Sequence, residues 1–252
     1  MSTRSRGGAG SGIPTLPLGY AAGARPGAPE GGRWVPLPVD GAGTQGGADG
    51  LLRRWVVWTV AGEMVGFVAP AVLGVVSANW SPRTALPTMV LAGAVEGLML
   101  GAAQAHALAP SIPGLRPARF ALLTTVAAAL AYVLGMLPSA LGTQLVDAPR
   151  LPVVLAGLLA AMLLLASIGT AQWLELRRHV DNAWTWIATT AAAWLAGLVA
   201  FLVIATPLWH PDQRPALVVL IGLVAAGAMA TTVALVTGLA LPRLLTRRHG
   251  TR

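Results

Sequence analysis

Two glutamates stand where an acid is costly. Glu63 lies in "WTVAGEMVGFV" and Glu96 in "GAVEGLMLGAAQ", each within a run of Ala, Val, Leu and Gly long enough to cross a bilayer. An ionised carboxylate at the bilayer centre costs at least about 2.5 kcal/mol on insertion scales, so such residues face a bundle interior or a water-filled cavity. The chemistry open to them there is binding a proton or a cation. Glu63 sits about 17 Å from one end of its run and Glu96 about 15 Å from the opposite end of its own, which brings both to the middle of the layer. If they face each other, two carboxyls in a low dielectric cannot both ionise easily and titrate as one unit. Thr59, one helical turn before Glu63, belongs to the same candidate site. The plainer alternative is a pair of protonated packing residues, or a carboxyl bonded to Thr59.

Little else in the chain suggests chemistry. There is no cysteine, and the histidines at 106, 179, 210 and 249 form no spaced cluster, so no metal site is expected. No HExxH, Walker loop, GxSxG elbow or dinucleotide fingerprint occurs, and the glycine-rich "GSGIPTLPLG" has no lysine with which to hold a phosphate. The sequence therefore points away from an enzyme and calls for no cofactor.

The elements that must position the acids are membrane helices. Hydrophobic residues make up 55% of the chain and charged ones 10%, against roughly a quarter charged in soluble domains. Six apolar stretches, near 52–77, 86–108, 119–141, 151–174, 184–206 and 216–241, are each long enough to span. Backbone groups in lipid must be satisfied within the segment, and these runs lack barrel alternation, so all six are expected to be helices. The expected architecture is all-α: a polytopic membrane helix bundle over 51–242. A Gly- and Pro-rich disordered cytoplasmic tail is expected at 1–50 and a basic cytoplasmic tail at 243–252.

Every one of the 17 basic residues is arginine and the net charge is +8. Only Arg83, Arg150 and Arg214 fall in connections on one side, while the tails and the other loops carry the rest. By the positive-inside rule both termini are cytoplasmic, in a plasma or bacterial inner membrane. The charge is then directed at anionic lipid, and nucleic acid is not expected as a partner. The same rule places Trp55, Trp58, Trp173, Trp184 and Trp186 in an inner interfacial belt and Trp80 and Trp209 in an outer one.

An internal period connects the helices. Trp55, Thr59 and Gly66 recur as Phe120, Thr124 and Ala131, then as Trp186, Thr190 and Gly197; Gly101, Gln104 and Leu108 recur as Gly169, Gln172 and Leu176, then more weakly as Ala234, Thr237 and Leu241. Copies about 65 residues apart predict three tandem parallel hairpins. Gly62 and Gly66 in the first helix and Gly93, Gly97 and Gly101 in the second are spaced for close helix packing, and Gln104 and Gln172 are expected to make interhelical hydrogen bonds. Two functions follow. One is a small transporter or channel-like protein moving protons, small cations or other solutes past Glu63 and Glu96. The other is a membrane scaffold that uses its arginine-rich face, with the N-terminal tail recruiting a protein partner or a second copy of the chain.

Overall fold

The computed structural model describes residues 41–246. They form seven helices and no strand: α1 (Gly41–Val76), α2 (Pro82–Leu108), α3 (Pro117–Leu141), the single turn α4 (Thr143–Val146), α5 (Arg150–Leu176), α6 (Thr185–Leu208) and α7 (Pro215–Thr246). All but α4 are long and apolar enough to cross a membrane. Three segments start earlier than the apolar runs because proline opens them. Pro82, Pro117 and Pro215 each occupy a first position, where the missing N–H has no partner to lose and φ is already helical. At the other extreme α1 extends back to Gly41, ten residues upstream of the expected span, since an established helix lengthens at little cost. The tail proposed at 1–50 is therefore corrected over 41–50, which are helical, while 1–40 lie outside the described residues, as do 247–252; Arg243, placed in the basic tail, belongs to the last turn of α7.

The connections are short, so consecutive long helices run antiparallel and stay neighbours. Their packing follows chain order: α1 on α2, α2 on α3, α3 on α5, α5 on α6, α6 on α7, and α7 back on α1. The six spans thus close into a ring. The end where α1 begins and α7 finishes is called the terminal end below. It also holds the α2–α3 and α5–α6 connections, the first of which turns at Gly114, a residue with φ of +86° that favours glycine.

Close approach around the ring depends on the glycines. A Cβ added to Gly66 would lie 2.8 Å from the Glu96 Cα, and one on Gly62 would lie 2.8 Å from the Met99 carbonyl oxygen, so both residues press α1 onto α2. On the other side of α2, a Cβ at Gly101 would come within 2.9 Å of the Ala121 Cα and one at Gly97 within 3.1 Å of the Thr124 carbonyl oxygen, while Gly93 lies under the Tyr132 ring. With small residues the backbones meet directly, and dispersion contacts hold helices together where lipid removes the hydrophobic drive.

The ring is filled at its terminal end. Trp55, Phe120 and Trp186 are fully buried there with Leu108, Ile112, Leu176 and Leu241. This corrects the expected tryptophan belt. Trp58, Trp184, Trp80 and Trp209 remain exposed, but Trp55 and Trp186 point inward and meet edge to face at 5.7 Å. Their N–H groups find partners inside: Trp55 Nε1 donates to Thr237 Oγ1 (2.9 Å) and Trp186 Nε1 to Gln172 Oε1 (2.8 Å). A buried indole needs such a partner, and a ring of six helices has an axial gap wide enough for the bicycle.

Candidate functional site

Above this plug, toward the opposite end, lies a cavity of about 280 Å³. Every span contributes to it: Glu63 and Phe67 from α1, Glu96 and Leu100 from α2, Ala128 and Tyr132 from α3, Leu164 and Ile168 from α5, Trp194 and Phe201 from α6, and Met229 from α7. It is therefore axial. In each odd-numbered span, counting spans in order, the cavity residue follows the plug aromatic by eight positions: Trp55 and Glu63, Phe120 and Ala128, Trp186 and Trp194. Eight residues rise about 12 Å and turn about 80° past two full turns, which keeps both residues on the inner half of the helix while separating plug from cavity.

Glu63 and Glu96 are both buried, at 2% and 6% exposure. They line the same cavity from neighbouring helices, where Gly66 lets the Glu96 backbone come close. Tyr132 completes the group. Its hydroxyl donates to Glu96 Oε2, and its ring occupies the space left by Gly93, one turn before Glu96. No donor among the described residues reaches either oxygen of Glu63. Two carboxylates on the wall of one apolar cavity repel each other, so the pair is accommodated there with at least one proton. Among the described residues, Glu63, Glu96 and Tyr132 are the only titratable ones lining the cavity.

Thr59 is placed differently. It is buried one turn toward the plug, does not line the cavity, and its hydroxyl has no partner, so it is not bonded to Glu63. Gln104 and Gln172 meet each other. Gln172 Nε2 donates to Gln104 Oε1 (2.7 Å) and to Thr124 Oγ1 (3.3 Å), tying α5 to α2 across the ring and to α3 beside it. With the Trp186 bond, one amide joins four helices and seals the terminal side of the cavity with satisfied polar groups.

Two further residues stand out in the structure and not in the sequence pattern. Tyr132 is the only tyrosine within the spans, and a polar tip on an aromatic in mid-helix was the available signal. Glu175, fully buried at the terminal end of α5, accepts from the Arg116 backbone N–H (3.1 Å) and from Arg119 Nη1 (2.7 Å), with His179 Nε2 at 3.3 Å. Its spacing of four from His179 was the visible clue. Among the described residues no group of three or more potential ligands could hold a metal.

Six apolar helices, with acids held inside rather than toward the surrounding medium, are the build of a multi-pass membrane protein. No family model matches the chain, and neither a curated protein nor a solved structure resembles it.

Proposed function

We propose that this protein is a small transporter that moves protons or small solutes along the axis of the ring, with Glu63 and Glu96 as the exchanging site and no covalent chemistry. One observation carries the reading: Glu63 is almost fully buried at mid-depth, lines the axial cavity, and has no donor for either oxygen. A carboxyl kept for packing alone would be expected to have its oxygens satisfied. This one keeps acceptor capacity for something that comes and goes. Tyr132 holds Glu96 in place while Glu63 stays free to bind, and the plug separates the cavity from the terminal end.

The tandem-hairpin plan belongs to the same proposal. In its support, the even-numbered spans repeat a second eight-residue relation: Glu96 and Gln104, Leu164 and Gln172, Met229 and Thr237 each pair a cavity residue with a buried polar residue of the plug. On this plan the cavity lies on a pseudo-threefold axis, and the acids belong to the first hairpin alone. The termini face the cytoplasm across a plasma membrane, with Arg53, Arg54, Arg177 and Arg178 resting on anionic lipid.

The test is proton flux into proteoliposomes under an imposed pH difference. Glu63→Gln and Glu96→Gln keep a neutral polar group at each site, so both variants should purify folded and both should lose the flux. Flux equal to wild type in the two variants would overturn the reading.

A further inference from the structure

The cavity wall is polar on one side only. Glu63, Glu96 and Tyr132 supply all its ionisable groups, while Phe67, Trp194 and Phe201 face the same space with aromatic carbon. Phe67 and Phe201 meet edge to face at 6.1 Å, bridging α1 and α6. Where Glu63 stands on α1, α3 has Ala128 and α6 has Trp194 eight residues beyond their own plug aromatics.

This wall suits some cations and not others. A small hard ion exchanges its water for six or more oxygens, and three side chains in an otherwise apolar cavity do not provide them. A cation that carries its own apolar body needs only one anionic partner and a wall of rings, because ring faces attract positive charge and apolar carbon replaces water around the rest. At about 280 Å³ the space lies near the lower limit for small-molecule sites and suits a compact ligand of about a dozen non-hydrogen atoms.

We propose that the axial cavity binds a monovalent organic cation with a compact apolar body, a quaternary or protonated tertiary amine, which displaces one proton from the Glu63–Glu96 pair. The exchange is electroneutral. Two protonated carboxyls carry no charge; when the cation enters, one O–H bond breaks, the proton leaves to water, and the remaining carboxylate balances the cation. The second proton stays between the carboxyls, and the Tyr132 hydroxyl continues to hold Glu96. No other charged group lines the cavity to take part. This assignment rests on the transport reading and names its cargo.

The experiment uses the full chain in nanodiscs with radiolabelled benzyltrimethylammonium, an aromatic quaternary amine with no proton of its own. Saturable binding is expected, weakening as pH falls, with release of about one proton per probe bound into unbuffered solution. Glu63→Gln should weaken binding at least about thirty-fold, as loss of a buried charge partner does. Trp194→Leu should weaken it about tenfold through lost ring contact, with folding checked by monodispersity. Neopentylbenzene, the uncharged isostere, should not compete. Equal competition by that isostere, or binding indifferent to both Glu63→Gln and Glu96→Gln, would overturn the assignment, and wild-type binding without proton release would overturn the exchange. If the probe does not bind while Glu63-dependent proton flux persists, the organic cation is wrong and the proton path stands. If both are absent, both readings fall together.

Discussion

Replacing Gln172 with leucine keeps the side-chain volume close to its original value but strands the groups that the amide serves. Trp186 Nε1–H loses its acceptor at 2.8 Å and Gln104 Oε1 its donor at 2.7 Å, and both residues are buried at 1% and 3% exposure. Each unpaired buried group costs about 1–3 kcal/mol. Hydrogen bonds inside membrane bundles average only about 0.6 kcal/mol, because partners there can re-pair. Around the two groups stand Trp55, Phe120, Leu108 and Leu176, with the Thr124 hydroxyl the nearest polar group, so if neither group re-pairs the larger figure applies and the total is about 2–6 kcal/mol. For a bundle of this size that is a fall of about 4–24 °C in melting temperature, read from the monodisperse fraction after heating in detergent. The double variant Gln172→Leu/Trp186→Phe should recover at least about 1 kcal/mol, since no indole N–H is then left unpaired. A phenyl ring is already tolerated in this plug at Phe120, which has no N–H to pair. A single variant that melts like wild type would show that water reaches Trp186, and the plug would then not be the dry seal described above.

Four other outcomes follow from the packing and the arginines. Gly97→Leu should cost about 1–3 kcal/mol, because its side chain meets the Thr124 carbonyl and cannot be absorbed by rotamer changes, whereas Leu98→Ala on the exposed face should change melting little. Tyr132→Phe, which removes the hydrogen bond to Glu96, and Gly93→Ala, which pushes the Tyr132 ring aside, should both lower proton flux; normal flux in the alanine variant would separate tyrosine position from function. Glu175→Ala should destabilise by about 2 kcal/mol more than Glu175→Gln, which still accepts from the Arg116 N–H, as comparative melting would show. Reporter fusions after Arg116, Arg178 and Arg248 should read cytoplasmic and those after Arg83, Arg150 and Pro211 external; exterior signals at two of the first three would overturn the orientation.

The parts of this fold that could be read from sequence were those with a local cause. Length and hydropathy define a span by themselves, so the six helices were legible. Gly62, Gly66, Gly93, Gly97 and Gly101 were legible as contacts because close packing repeats every four residues on one helix, and Gln104 and Gln172 because an amide in lipid must find a partner. What the pattern lacked was azimuth. An indole has the same amphipathic signature whether it anchors at the membrane surface or hydrogen-bonds inside a ring, and only ring closure turned Trp55 and Trp186 inward. Tyr132 was missed for a related reason: its partner lies 36 residues away on a neighbouring helix, and nothing in α3 alone announces it. Glu175 drew no reading from sequence because its acceptor role depends on where α3 begins.

A ring in which each helix packs on its neighbours in the chain also has a history. Five of the six seams join consecutive spans and can form in the order in which the spans leave the ribosome. The sixth, α7 against α1, joins the two ends and must wait for the whole chain to be made. Loop-closure entropy makes such a contact slow compared with the hairpins. The Trp55–Thr237 hydrogen bond, 182 residues apart in the chain, lies on that seam and is among the last to form. Until it does, the nascent bundle is an open arc, its acids facing a cleft and not an enclosed axis. The seam is then the natural place for a kinetic checkpoint: a chain that fails there would be helical, inserted and leaky, and that defect is distinct from misfolding of any single span.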